Sequence, residues 1–168
     1  RYGETPGQIG ALPVEIGDMP MTQTNTLPHI EVHGLYNDSW QGMITEDSFA
    51  HPAKYARGLI FWIVRTGLEQ GWWKVGDVIL DPFSGVALGG LACAPYGLQF
   101  IGVELEEKFV AMAKANIELH RKAYEQTSKP VPIIIQGDSR ELASIIQQAS
   151  GGITSPPYID SAVEGTTG

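Results

Sequence analysis

Asp81-Pro82-Phe83-Ser84-Gly85-Val86-Ala87-Leu88-Gly89-Gly90 is the stretch on which the reading of this 168-residue chain turns. Upstream, Val78-Ile79-Leu80 is a short apolar, β-branched run of the kind found in buried parallel strands, and Asp81 closes it. Downstream, the small residues Gly85, Ala87, Gly89, Gly90, Ala92 and Ala94 open a predicted helix. Strand, glycine turn and helix in that order build a pocket at the carboxyl end of an open α/β sheet, where such sheets bind their ligands. A second strand follows, Gln99-Phe100-Ile101-Gly102-Val103, and it is closed by Glu104. An acid at that distance past the turn is placed to accept hydrogen bonds from a ribose. The pair by itself indicates an adenosine-containing cofactor and leaves a tight turn with no ligand open.

A third acid-capped run, Val131-Pro132-Ile133-Ile134-Ile135-Gln136-Gly137-Asp138, precedes the segment Thr154-Ser155-Pro156-Pro157-Tyr158. Together with His51-Pro52-Ala53-Lys54, Asp81 to Gly85, Val103-Glu104 and Gly137-Asp138-Ser139, this segment resembles the S-adenosylmethionine-dependent amino-methyltransferases of DNA, which methylate cytosine N4 or adenine N6. The resemblance covers roughly residues 48 to 160. It implies an α/β, Rossmann-like methyltransferase fold, a mostly parallel sheet with helices on both faces. About seven strands are expected of that class; four are legible, so the fold is expected to be incomplete in this chain. Residues 1–47, rich in Gly, Pro, Thr and Asn, form a polar segment with one short strand near His29 to Val32, and 48–168 the catalytic domain.

The resemblance also assigns roles. Asp81 is expected near the methionine ammonium of S-adenosylmethionine, the backbone of Phe83, Ser84 and Gly85 near its sugar and sulfonium, Glu104 on the ribose hydroxyls and Asp138 on the adenine amine. His51 and Lys54 line the methionine end, with Lys54 facing the carboxylate as a point charge. Asp138 is equally placed to cap the element that begins at Ser139. Catalysis falls to Ser155, Pro156, Pro157 and Tyr158. Two prolines stiffen that loop and remove N–H donors. The Ser155 side chain and the Pro156 carbonyl then accept hydrogens from the attacking amine, and Tyr158 stacks on a base extruded from its duplex. The loop lacks the cysteine that carbon-5 methylation of cytosine needs, and Cys93, between Ala92 and Ala94, fits a buried structural thiol. Ala87-Leu88 stands where the family usually has Gly-Thr, which tightens the turn. No metal is assigned.

Composition bears on partners. Net charge is −8, of which −6 falls in residues 1–50 and −2 in the rest, so no basic stripe for double-stranded DNA is visible. Target recognition is therefore expected from an additional domain or a homodimer partner. A single cysteine forbids an intramolecular disulfide, and no apolar run reaches membrane-spanning length, which makes the cytoplasm of a prokaryotic or phage-infected cell the expected setting. The expected activity is site-specific methylation of a DNA amine within a restriction-modification system, cytosine N4 ahead of adenine N6. That order rests on the family's habit of placing Ser at the first loop position in cytosine-N4 enzymes. An RNA or protein amine methyltransferase and a non-catalytic cofactor-binding subunit are the alternatives.

Two further elements are expected. Ser48 to Leu68 reads as one helix with Tyr55, Leu59, Trp62 and Ile63 on its apolar face. Trp72 and Trp73 read as rings wedging a loop onto the core.

Overall fold

The computed structural model describes residues 39–52 and 54–155. Four strands, β1 (Val78–Asp81), β2 (Gln99–Glu104), β3 (Ile133–Gln136) and β4 (Gly151–Gly152), form one parallel sheet in the order β3-β2-β1-β4. That is the central order of the doubly wound, Rossmann-type sheet, with the chain reversing direction of travel at β1. Helix α2 (Leu88–Cys93) links β1 to β2, and α3 (Glu107–Gln126) links β2 to β3. Right-handed crossovers put these two on one face. The connection from β3 back past β1 to β4 carries the single turn α4 (Leu142–Ile145) and runs the opposite way.

Close approach dictates the small residues. A Cβ on Gly89 or Gly90 would lie 2.8 or 2.9 Å from the Phe100 ring, so α2 rides on the sheet only because both are glycine. Phe100, Ile79 and Leu98 are fully enclosed, as is Leu91 of α2 itself. Helix α1 (Arg57–Glu69) packs against α2 through Ile60 and Val64, and Gly67 leaves room for Trp73.

Three expectations are corrected. The segment from Ser48 to Leu68 is two elements, a 3-10 turn (Glu46–Ala50) and α1, with non-helical chain between. Pro52 disfavours helical geometry at the residue before it, and His51 is extended, at φ −66° and ψ 127°. Of the two tryptophans, Trp73 is buried and donates from Nε1 to the Val64 carbonyl at 3.2 Å, whereas Trp72 is 61% exposed. Finally, Trp40 and Ile44, within the stretch read as a polar segment, belong to the core. The strand expected near His29 lies outside the described residues.

Candidate cofactor and catalytic site

The acids predicted at the strand ends arrive on adjacent strands. In register, Asp81 pairs with Gly102, two residues before Glu104, and Glu104 pairs with Gln136, two residues before Asp138. Asp81 is 1% exposed, and its Oδ1 accepts from the Phe83 N–H at 3.0 Å. Burial pushes its carboxyl up to about 6; the Phe83 amide, hydrogen-bonded to it, and the nearby Thr154 side chain oppose that rise, and the charge of Glu104 adds to it.

Glu104 does more than the sequence suggests. Its Oε2 accepts from the Gly85 N–H and its Oε1 from the Glu106 N–H, both at 2.9 Å, so the second strand grips the glycine turn directly. Gly85 sits at φ +51°, and a Cβ there would lie 3.0 Å from two atoms of the His51 ring. That ring meets Phe109 edge-on, with centroids 4.3 Å apart. Ser84 turns its side chain down onto Gly102, where an added Cβ would lie 2.5 Å from Ser84 Cβ. Its buried hydroxyl has no hydrogen-bond partner among the described residues, so Ser84 faces the site through its backbone. Phe83, by contrast, is an exposed ring beside the acids. Ala87 adopts φ +67°, a region that favours glycine, with its methyl wholly buried.

Two predicted residues have local partners. Lys54 Nζ donates to the Phe49 carbonyl at 3.0 Å and to the His51 carbonyl, closing the turn that presents His51. Asp138 caps the 3-10 turn Ser139–Glu141 by accepting from the Arg140 N–H at 2.9 Å, and the Arg140 guanidinium on the same carboxylate holds it down at about 2. Ser155 is exposed just past β4, while Pro156, Pro157 and Tyr158 lie outside the described residues.

One residue that the sequence reading passed over matters here. Asn116, fully buried in α3, donates from Nδ2 to the Val86 carbonyl at 2.9 Å and accepts on Oδ1 from the Thr45 N–H (2.8 Å) and the Ser48 hydroxyl (3.1 Å). It ties the glycine turn to the segment leading into His51. A polar side chain set among Ala113, Ile117 and Phe109 on an apolar helix face is the signal that would have found it.

This donor set suits S-adenosylmethionine on structural grounds. A buried carboxylate matches a cationic ammonium or sulfonium, a carboxylate on the next strand matches hydroxyl donors, and a turn with no Cβ at Gly85 allows close approach.

Comparison with known proteins supports the same assignment. A family model described as DNA methylase matches residues 23–115, more than half of the chain and including His51, Lys54, Asp81 to Gly85 and Glu104. Type II methyltransferase M2.DpnII of Streptococcus pneumoniae is 29% identical over 85 residues, 48% of this chain and 30% of its own length. An uncharacterized RNA methyltransferase of Nanoarchaeum equitans, NEQ053, is 35% identical over 94 residues, 54% of this chain and 20% of its own. The chain thus spans less than a third of either relative. Among solved structures, TrmN from Thermus thermophilus is similar over 69% of this chain and 32% of its own, with 18% identity and a TM-score of 0.49. The C-terminal domain of precorrin-6Y C5,15-methyltransferase from Rhodobacter capsulatus is similar over 71% and 60%, with 13% identity and a TM-score of 0.49. With a parallel α/β sheet, acids at its strand ends and a match across the glycine turn, this chain belongs to the DNA methylase family, whose methyl donor is S-adenosylmethionine.

Proposed function

We propose that this chain carries the cofactor pocket and catalytic loop of a DNA amino-methyltransferase acting on an exocyclic amine, cytosine N4 ahead of adenine N6. The observation that carries the reading is the pairing of β4 with β1, where the Ile153 N–H donates to the Leu80 carbonyl at 3.0 Å, so that the Ser155 loop begins beside the strand that ends at Asp81. When bound, the cofactor supplies an electrophilic methyl group on a sulfonium. Transfer to an amine is then an in-line displacement, and the protein's task is positioning. Asp81 holds the ammonium end, with Lys54 and His51 on the methionine side; Glu104 receives the ribose hydroxyls and Asp138 the adenine amine. Ser155 Oγ and the Pro156 carbonyl accept the amine's two hydrogens, which returns electron density to a nitrogen otherwise conjugated with its ring. Pro157 stiffens the loop and Tyr158 stacks on the base.

The assignment of DNA follows the family match and the pneumococcal relative. Contacts to double-stranded DNA and target recognition are assigned to a further domain or a second copy, because the net charge of −8 leaves this chain poorly suited to hold phosphates. A cytoplasmic restriction-modification role fits, and among the described residues no helix is long and apolar enough to cross a membrane. Transfer to an RNA amine is the second reading, favoured by the 35% identity to NEQ053. Both are tested by supplying S-adenosylmethionine with a labelled methyl group together with duplex DNA of mixed sequence or total RNA. Label in cytosine N4 of DNA, lost by 10²-fold or more in Ser155→Ala, is the expected result, on the order of what one transition-state hydrogen-bond partner supplies. Label in RNA alone overturns the DNA assignment.

A further inference from the structure

The contacts around the glycine turn close on themselves. Asn116, fully buried in α3, donates from Nδ2 to the Val86 carbonyl at 2.9 Å, and its Oδ1 accepts from the Thr45 N–H at 2.8 Å and the Ser48 hydroxyl at 3.1 Å. The Ser48 hydroxyl also meets the Thr45 hydroxyl at 2.8 Å, and the Ser48 carbonyl accepts from the His51 N–H at 3.3 Å. Lys54 holds the His51 carbonyl from the other side. The His51 ring then stands over Gly85, where an added Cβ would lie 3.0 Å from two of its atoms. A path that leaves the turn at Val86 thus runs through Asn116, Ser48 and His51 and returns to it at Gly85.

We propose that Asn116 is a positioning residue for cofactor binding, one that sets the separation between the His51 ring and the Gly85 backbone from beneath the site. The inference rests on the cofactor role proposed for His51 and Gly85. A carboxamide suits the task, because one rigid planar group carries a donor for the turn and an acceptor for the segment. In a buried setting both bonds are strengthened, and an unmade one is costly.

Both sides of the cleft need such a hold. On the turn, Ala87 sits at φ +67°, where its Cβ is crowded against the backbone. The peptide between Val86 and Ala87 is fixed at both ends, since the Ala87 N–H donates to the Ser84 carbonyl at 2.9 Å and the Val86 carbonyl accepts from Asn116. On the segment, His51 is extended, and its ring is braced edge-on by Phe109, which lies about two turns before Asn116 on the same helix. One helix thereby supports the ring through Phe109 and the backbone behind it through Asn116. Loss of the amide strips the Val86 carbonyl and the Thr45 N–H of this partner, and turn and segment then settle independently.

The test is a double-mutant cycle on the full chain, read as S-adenosylmethionine affinity by calorimetric titration at a temperature where near-ultraviolet circular dichroism shows the variants folded. Asn116→Leu keeps the branch at Cγ and removes the amide. It is expected to weaken binding about tenfold in the wild-type background, in the range of couplings within one hydrogen-bond network, and by about twofold or less in His51→Ala, where no ring is left to place. Ser48→Ala removes one bond of the path and leaves Asn116 in place. It is expected to weaken binding about threefold, again only while His51 is present, and it decides the matter alone if Asn116→Leu does not fold. His120→Ala is the control for mere loosening, because His120 lies one turn further along α3 and holds the Met43 carbonyl at 2.7 Å; its thermal midpoint should fall while its affinity stays at the wild-type value. A loss from Asn116→Leu or Ser48→Ala that persists in full in His51→Ala, no loss at all, or an equal loss in His120→Ala overturns the inference and leaves the pocket standing. A wild-type chain that binds no S-adenosylmethionine overturns the cofactor role of His51 and Gly85 and the inference with it.

Discussion

Asp81 illustrates how far a single residue can be read. Its place at the tip of a buried strand was legible, because an acid after Val78-Ile79-Leu80 and before a glycine turn has few other uses. Its depth was not, since burial is set by α2, Tyr55 and the strand beside it rather than by local sequence. The depth has a measurable consequence. An aspartate whose folded value is raised from 3.8 to about 6 contributes stability that is fully present below about pH 4 and lost as pH rises through 6. The loss amounts to roughly 3 kcal/mol. Asp81→Asn is therefore expected to flatten the fall in urea midpoint between pH 4 and 7 that the wild type shows. An equally steep fall in the variant would place the titrating group elsewhere. Asp138 shows the opposite case. Its capping role was legible from the serine that follows, but the Arg140 guanidinium on the same carboxylate was not, because a pair two residues apart is set by the conformation of the turn.

At the level of elements, the glycine turn is held from three sides. Glu104 takes the Gly85 N–H, Asn116 takes the Val86 carbonyl, and Ser84 rests on Gly102. Strands β1, β2 and β3 were legible from apolar runs closed by acids. The turn's supports were not, because each comes from a residue 18 or more positions away whose partner no periodicity reveals. The single helix read over Ser48 to Leu68 failed for a local reason, the backbone restriction that Pro52 places on His51. Gly102 tests the packing of the turn most sharply. Gly102→Ala puts a methyl 2.5 Å from Ser84 Cβ and is expected to cost about 1–3 kcal/mol in chemical denaturation. Adding Ser84→Gly removes the obstructing side chain and should recover part of that loss. An alanine variant as stable as wild type would mean that the turn does not rest on the sheet at this point.

For the whole molecule, the parallel order β3-β2-β1-β4 delivers Asp81, Glu104 and the Thr154-Ser155 segment to one end of the sheet from neighbouring strands, and this convergence underlies the functional reading. The gathering of the acids was foreseeable from their spacing and the loop's place beside them from the family resemblance, whereas the hydrogen bond from the Gly85 N–H to Glu104 required the fold. A ligand that binds only the folded chain adds about 2.7 kcal/mol of stability at one hundred times its dissociation constant. S-adenosylmethionine at that excess is thus expected to raise the thermal midpoint by several degrees, read by near-ultraviolet circular dichroism; an unmoved midpoint would count against the pocket. The most direct measurement is calorimetric titration of S-adenosylmethionine into wild type and Asp81→Asn at pH 5 and pH 7. Wild type should bind about tenfold more weakly at the lower pH, because the cation must displace a proton from Asp81 there, and the asparagine variant should bind weakly and equally at both. Equal affinity of the two proteins at both pH values would contradict the assignment of Asp81 to the cofactor.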